Sequence, residues 1–290
     1  MKQNMFLVTS NKKVRLKDHD TSFTAGYREE AEARAKIDAD CAALAELQDK
    51  LMAQETYGLL LLFQAMDGSA KDGTIKHIMS VADPQGCTAH NFTEPSEKEN
   101  KHDYLWRFHS CMPARGEIGV FNRSYYEEVL ATRVHPEQLE KQSLPSAMPK
   151  GGKLWKQRFG QINNFEQYLV ENGIVVMKFF LHLSKEKQRE RLLERTEKTE
   201  KKWKFSPSDI EERKFWKDYM RAYEDVLSET SMKSAPWHII PADNRWFTAL
   251  AVADLVVTKL QELKVRYPEA KADEKREMAG ARNALEEEAR

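Results

Sequence analysis

The sequence is short of cysteine, of long apolar runs and of net charge, and each shortage excludes a class of protein. The three cysteines, Cys41, Cys87 and Cys111, form no C-x-x-C pair, which excludes a disulfide scaffold and a paired-cysteine metal site. The histidines show no metal-binding spacing either. The longest apolar stretch, near residues 59–63, is far too short to span a membrane.

Lysine and arginine total 46, and aspartate and glutamate also total 46. The net charge is therefore zero, whereas a general nucleic-acid binder is more often basic, so any polyanion site must be a local patch. Near the N-terminus only residues 5–8 form an apolar run, which does not make a secretory signal. We therefore expect a cytoplasmic protein that binds neither nucleic acid nor a membrane.

Apolar residues make up 41% of the chain and charged residues 32%, which is enough for a sizeable core under a highly charged surface. Short apolar runs alternate with stretches of helical periodicity, a pattern typical of an α/β fold with a mainly parallel sheet. After an irregular arm (1–26) and an amphipathic helix (28–52), we predict strands at 57–64, 88–92, 118–121, 174–183 and 237–240. We predict the other helices from about residue 75 and at 102–111, 125–134, 155–172 and 247–263.

A small, polar turn, AMDGSAKDGT (65–74), separates the first predicted strand from the helix that follows it. Phosphoryl groups need backbone N–H donors at a helix N-terminus and a nearby ammonium, and Lys71 stands where such a lysine would stand. The motif G-x-x-x-x-G-K-[ST] is not met, because alanines occupy both glycine positions and Asp72 replaces the hydroxyl residue. Taken alone, the segment is a phosphate loop or an ordinary turn with a surface lysine.

Two of these departures have physical consequences. If Ala70 takes a positive φ, its Cβ costs about 1 kcal/mol, so the loop is strained or slightly reshaped. Because no hydroxyl follows Lys71, a magnesium ion needs another oxygen ligand. Asp67 is the carboxylate within the loop that can supply it.

A second set of polar residues follows the strand at 117–121, which ends in NRSYYEE. Phosphoryl-transfer sites in this kind of fold take further groups from the end of an adjacent strand. Arg123 is placed to bind phosphate, Asn122 offers an oxygen to a metal-bound water, and Glu127 or Glu128 can complete a metal shell. By itself, Arg123 is also consistent with a surface arginine at a strand end.

Residues 184–204 hold nine basic and five acidic side chains, a local excess of four positive charges. Lys187, Arg191 and Arg195 recur on one helical stripe, with glutamates on the neighbouring stripe. Read in isolation, this segment is a solvated helix held by ion pairs. The tail at 268–290 has mixed charge and few apolar residues, which predicts an exposed helix or disorder.

Several long runs resemble, in the same order, the polyphosphate kinase 2 family: FQAMDGSAKDGTIKHIMS, DPQGC, HDYLWR, IGVFNRSYYEEVLATRVHPE and KWKFSPSD. The match extends from about Tyr57 to Ala242 and more narrowly resembles the class III-like branch, which accepts nucleoside mono- and diphosphates. The resemblance implies a P-loop kinase fold like that of thymidylate kinase, with a five-stranded parallel sheet, flanking helices and a helical lid. It also implies reversible, Mg²⁺-dependent phosphoryl transfer from inorganic polyphosphate to AMP or ADP.

The resemblance also implies roles for single residues. Asp67, Lys71, Asn122 and Arg123 match the catalytic positions, with Asp67 holding Mg²⁺ (or Mn²⁺ as a substitute) and Asn122 reaching it through water. Relatives often have aspartate at the position of Asn122 and usually have glycine at that of Ala70. The residues expected to bind phosphate or the polymer are Gly68, Ser69, Ala70, Asp72, Gly73, Thr74, Lys76, Arg189, Lys201, Lys202 and Lys204. Those expected at the nucleotide are Arg107, Glu127 and Arg133, although Arg107 is also consistent with a helix-surface arginine.

The predicted organisation is an N-terminal arm and helix (1–54), a P-loop kinase-like phosphotransferase domain (55–263) and a charged tail (264–290). The basic segment then belongs to a lid at about 184–235 that closes over a polyanion and excludes water. The expected partners are polyphosphate and adenine or guanine nucleotides, and family analogy predicts a homodimer or homotetramer. Two alternatives remain, an ATP-dependent nucleoside monophosphate kinase of the same fold and a non-catalytic scaffold that binds polyphosphate or nucleotide.

Overall fold

The computed structural model describes residues 3–288, and within them five strands form one parallel sheet in the order β2-β3-β1-β4-β5. The strands are β1 (Gly58–Ala65), β2 (Cys87–Asn91), β3 (Ile118–Asn122), β4 (Ile174–His182) and β5 (Trp237–Pro241). The main helices are α1 (Glu30–Gln54), α2 (Lys71–Val81), α3 (Trp106–His109), α4 (Ala131–Val134), α5 (Pro136–Glu140), α6 (Gly152–Glu171), α7 (Lys185–Glu197), α8 (Pro207–Glu212), α9 (Trp216–Thr230), α10 (Arg245–Glu262) and α11 (Ala272–Glu288). The predicted α/β fold with a five-stranded parallel sheet is confirmed.

The central strand β1 is apolar from Leu59 to Phe63 because helices cover both faces of the sheet. Leu59, Leu61 and Phe63 pack into a core with α1, α2 and α10. The alternate side chains, Leu60 and Leu62, pack into a second core with α6 and α9. The strand-end residues of β1 and β3 are thereby held rigidly at one edge of the sheet. No helix within residues 3–288 is both long and apolar enough to cross a lipid bilayer.

The N-terminal arm lacks long regular elements, as predicted, but it is docked on the sheet. Phe6 and Val8 are buried, the Val8 N–H donates to the Trp237 carbonyl (2.9 Å), and the Ile239 N–H donates to the Phe6 carbonyl (2.8 Å). The arm therefore covers the outer edge of β5, which would otherwise expose unpaired backbone groups. Nothing in the local pattern of the arm predicted this contact.

Two predicted helices are shorter than their sequence periodicity indicated. The helix expected at 102–111 is reduced to α3, because the Asp103 carboxylate accepts from the Leu105 N–H (3.0 Å) and forms a turn instead. The helix expected at 125–134 is divided into a 3₁₀ segment, Tyr125–Val129, and α4. The 3₁₀ segment is fixed because Tyr125 and Tyr126 both point their hydroxyls at one buried glutamate.

That glutamate, Glu166 on α6, belongs to a fully buried polar network below the strand-end residues. Lys178 on β4 donates to the Glu166 carboxylate (2.5 Å), to the Tyr126 hydroxyl (3.0 Å) and to the Thr230 carbonyl (2.7 Å). Lys178 and Glu166 are each 0% exposed. Because these buried polar groups are hydrogen-bonded to one another, the network connects the segment after β3 to β4, α6 and α9.

Because two histidines are buried, we predict that the free energy of unfolding falls in mild acid. Burial lowers the pKa of His182 and of His238 from 6.5 to about 4, so below pH 6.5 the unfolded chain binds protons that the folded chain does not. The free energy of unfolding should therefore fall as the pH drops from about 6.5 to about 4, by up to about 3 kcal/mol per histidine. Urea unfolding across this range measures the slope. His238→Gln should flatten it, and an unchanged slope would contradict the assignment.

Candidate active site

The loop between β1 and α2 turns sharply through two residues in the left-handed region. Gly68 has φ +81° and Ala70 has φ +71°. Ala70 is the N-cap of α2 and offers no side-chain cap, so the first N–H groups of the helix are left for another acceptor. This is the backbone geometry that binds anions at helix N-termini.

These residues line a hollow of about 270 Å³, which we call the loop hollow. It lies between the loop, α7, the 3₁₀ segment Thr199–Lys204 and the start of α10. Its lining consists of Met66, Asp67, Gly68, Ser69, Ala70, Lys71, Asp72, Gly73, Arg191, Arg195, Lys201, Lys204 and Arg245. Six of these side chains are basic and two are acidic, which gives an otherwise neutral protein a local site for a polyanion.

Lys71 is the unpaired cation of the loop hollow. Burial, and secondarily the neighbouring Arg123, lowers the pKa of the Lys71 ammonium from 10.5 to about 8. Within the described part of the chain, the Lys71 side chain has no hydrogen bond or ion pair. An anion in the hollow would supply the missing partner and favour the charged form.

Arg123 is fixed directly after β3 on the other side of Asp67. It takes a left-handed conformation, φ +64°, and its N–H donates to the Phe63 carbonyl (3.1 Å). The guanidinium donates to Asp67 Oδ1 (3.1 Å). Glu127, and then Asp67, raises the pKa of Arg123. Backbone strain of this kind is more frequent at functional sites than elsewhere, and here it aims the Arg123 guanidinium at Asp67.

A second hollow, of about 330 Å³, opens on the side of Asp67 that faces Arg123, and we call it the strand-end hollow. Its lining consists of Ala65, Met66, Asp67, Glu94, Arg123, Glu127, Ala131, His135, Gln138, Ser208, Asp209, Glu212, Tyr219 and Tyr223. Met66 and Asp67 line both hollows. The loop hollow and the strand-end hollow therefore lie on either side of the Asp67 carboxylate.

The residues around Asp67 fit a divalent cation that has few protein ligands. Asn122 donates through Nδ2 to Asp72 Oδ1 (3.2 Å), while its Oδ1 is buried and has no partner among the described residues. Within residues 3–288 there is no group of three or more His, Cys, Asp or Glu side chains that could hold a metal. Mg²⁺ is commonly held by one or two carboxylates, with phosphates and water as its other ligands.

Four of the six cations that line the loop hollow are paired with carboxylates, among them Arg195 with Asp209 (2.5 Å). Lys204 contacts Asp72 (3.2 Å) and so links the 3₁₀ segment to the first turn of α2. Lys201 and Arg245 share Glu194 (2.5 and 3.3 Å). Because these pairs are partly exposed, each contributes little stability, and a polyanion can replace the carboxylates at low cost.

Several residues with predicted roles lie outside both hollows. The Arg189 side chain is on the outer face of α7, where it donates to Glu186. Arg133 is paired with Asp225 (2.6 Å), and Arg107 is buried with its guanidinium on the Thr93 carbonyl (2.9 Å). The other such residues are Thr74, which is buried within the fold, and Lys76 and Lys202, which are exposed. The structure thus brings Asp67, Lys71, Arg123 and Glu127 together around the two hollows, which these six do not line. Arg107 nevertheless lines a separate cavity with Arg123 and Glu127.

Sequence reasoning missed two residues that support the site from below, one under the loop and one under the segment that follows β3. Arg191, 4% exposed, donates to the Gly68 carbonyl (2.9 Å) and to the Ala242 carbonyl (2.7 Å). Gln64, with its amide oriented to satisfy its neighbours, donates to Glu127 Oε1 (2.9 Å) and accepts from Ser124. The only sequence signal was the helical stripe that contains Arg191.

The observed φ of Ala70 predicts that Ala70→Gly stabilises the protein. Removing the Cβ relieves a left-handed strain of about 1 kcal/mol, partly offset by the greater freedom of glycine in the unfolded chain. Urea unfolding should show a higher free energy of unfolding. The matched control is Ala82→Gly at the other end of α2, where φ is −81° and glycine should destabilise. A loss of stability in Ala70→Gly would contradict the strain.

Comparisons with known proteins show which family this chain resembles along most of its length. A family model described as polyphosphate kinase 2 matches residues 27–268. The chain is 42% identical over 285 residues to an ADP-polyphosphate phosphotransferase of Rhodopseudomonas palustris, covering 98% of this chain and 99% of that protein. It is 39% identical over 252 residues to an AMP/ADP-polyphosphate phosphotransferase of Meiothermus ruber, covering 87% and 89%. The crystal structure of polyphosphate kinase 2 from Arthrobacter aurescens TC1 superposes with a TM-score of 0.85 at 36% identity, covering 96% of this chain and 98% of that one.

Proposed function

Because the chain belongs to the polyphosphate kinase 2 family, we propose that it transfers phosphoryl groups reversibly from inorganic polyphosphate to AMP and ADP, giving ADP and ATP. The observation that carries the proposal is the position of Asp67 between the basic loop hollow and the strand-end hollow. The names of the two relatives, one for ADP and one for AMP and ADP, support both acceptors.

The charges of the two hollows favour one assignment of substrates. Polyphosphate, a polymer of like charges, fits the loop hollow, where six basic side chains face two acidic ones. The strand-end hollow is lined by five carboxylates, Arg123 and His135. The carboxylates can accept from the hydroxyl and base donors of a nucleotide, while Arg123 is the cation that meets its phosphates. The reacting groups would then meet beside Asp67, Lys71 and Arg123.

Transfer of a phosphoryl group needs positioning and charge stabilisation more than covalent chemistry. The terminal phosphate oxygen of AMP or ADP attacks the terminal phosphorus of the polymer in line, and the bond to the shortened polymer breaks. Lys71 and Arg123 neutralise the charge on the transferring group. No general base is required, because the attacking phosphate oxygen is already ionised.

Phosphotransferases of this family generally need a divalent metal, and here we propose Mg²⁺, with Mn²⁺ as a substitute. Asp67 would hold it directly, and Asn122 through a water. When bound, the ion supplies positive charge that offsets the phosphate oxygens. The lid residues would close over the polymer and exclude water, which favours transfer over hydrolysis.

A coupled luciferase assay tests this function. With Mg²⁺, polyphosphate and ADP, ATP should form, and with AMP in place of ADP, ADP and then ATP should form. If the protein converts ATP plus AMP to ADP in the absence of polymer, and forms no ATP from polyphosphate and ADP, it is a nucleoside monophosphate kinase instead. Tight binding of polyphosphate without any ATP would identify a scaffold. Guanine nucleotides as acceptors, a dimeric or tetrameric assembly and a cytoplasmic location remain predictions.

A further inference from the structure

Gln188 packs directly against the loop between β1 and α2, although it lines neither hollow. It is on α7 and is 1% exposed. Its Nε2 donates to the backbone carbonyl of Asp67 (2.8 Å). The packing is also close, since a Cβ added to Gly68 would stand 3.4 Å from Gln188 Cγ.

The other end of the Gln188 amide is held as well. Arg213, in the segment between α8 and α9, donates to Gln188 Oε1 (2.7 Å) and to the Lys185 carbonyl (3.0 Å). Because the oxygen of the amide is taken by a cation that can only donate, the nitrogen must face Asp67. Arg213 therefore determines which way the Gln188 side chain is oriented.

Holding the Asp67 carbonyl fixes more than one atom. The peptide group is planar and trans, so its N–H points opposite to its carbonyl, and the Gly68 N–H is directed away from α7. Arg191, three residues after Gln188 on the same face of the helix, holds the next carbonyl, that of Gly68 (2.9 Å). Side chains of α7 thus fix the orientation of two consecutive peptide groups of the loop, those of Asp67 and Gly68.

We propose that Gln188 is a positioning residue for phosphoryl transfer, which holds Asp67 at the point where the two hollows meet, and that Arg213 orients Gln188. The proposal rests on the function proposed above. Asp67 lines both hollows, so rotation of its peptide moves the carboxylate relative to donor and acceptor together. A displacement of about 1 Å can cost about 100-fold in rate.

Gln188→Met tests the proposal, because methionine keeps the length and packing of the side chain and removes both hydrogen bonds. We expect kcat to fall by about 10- to 100-fold, while KM for polyphosphate and for ADP stays within about twofold. Hydrogen exchange of the loop amides, residues 66–73, should be faster in the ligand-free protein. Gln167→Met is the matched control, since Gln167 pairs with Glu171 on the exposed side of α6 and should leave kcat and loop exchange unchanged.

Arg213→Gln is the second variant and decides the question if Gln188→Met does not fold. Like Gln188→Met, it should lower kcat and speed hydrogen exchange of the loop amides, but each effect should be smaller than in Gln188→Met. Wild-type kcat and wild-type loop exchange in the folded variant would overturn the proposal, as would a raised KM with unchanged kcat. If the wild-type protein makes no ATP at all, the proposed function fails, whereas loop exchange still shows whether Gln188 holds the loop.

Discussion

Replacing Lys71 with methionine should abolish nearly all ATP formation. The side chain of Lys71 is the one lining cation of the loop hollow that has no hydrogen bond or ion pair within residues 3–288, and loss of hydration lowers the pKa of its ammonium to about 8. A preorganised donor aimed at developing charge contributes about 100- to 1000-fold to kcat. We therefore expect kcat of Lys71→Met to fall by about 1000-fold in the luciferase assay.

The control for this variant is Lys156→Met, since Lys156 is exposed on α6 and lines neither hollow. It should keep wild-type kcat. Circular dichroism and urea unfolding should show that Lys71→Met is folded, and removal of a partially desolvated, unpaired charge should not destabilise it. Near-normal ATP formation by folded Lys71→Met would show that the loop hollow takes no part in the reaction.

Replacing Lys178 with methionine should be the most destabilising of the substitutions considered. It leaves the Glu166 carboxylate, 0% exposed, without its counter-charge, and it leaves the Thr230 carbonyl without the Lys178 donor. Removing one partner of a buried ion pair costs about 3–5 kcal/mol. Urea unfolding at neutral pH should show a loss of this size.

Two further variants separate the network from a general loss of charge. Lys178→Met combined with Glu166→Leu should recover part of the loss, because no unpaired charge is then buried. Lys259→Met breaks a partly exposed pair with Glu262 and should cost less than about 1 kcal/mol. A loss below about 1 kcal/mol in Lys178→Met would mean that the network does not hold the segment after β3.

The fold was predictable because its signals are local. The apolar run of β1 and its small, polar turn are contiguous in sequence, and parallel strands bring the ends of β1 and β3 to the same edge of the sheet. Asp67, Lys71 and Arg123 therefore meet as the sequence predicted. The positive φ of Ala70 was also foreseeable, since the motif places glycine there.

The support of the loop was not predictable, because it depends on which face of α7 meets the sheet. Lys187, Arg191 and Arg195 share one stripe, yet Arg191 is buried against the loop while Lys187 pairs with Glu190 on the surface. Arg189 is two residues from Arg191 and faces outward. Charge and periodicity do not distinguish these arginines, and only the packed structure separates them.

The central claim is that donor and acceptor are bound at once, on either side of Asp67, and react directly. Initial rates of ATP formation, measured over a grid of ADP and polyphosphate concentrations at fixed Mg²⁺, test this claim without altering the protein. Direct transfer predicts double-reciprocal lines that intersect, because both substrates must be present together. Parallel lines would show that the phosphoryl group passes through a covalent enzyme intermediate, and would contradict the account.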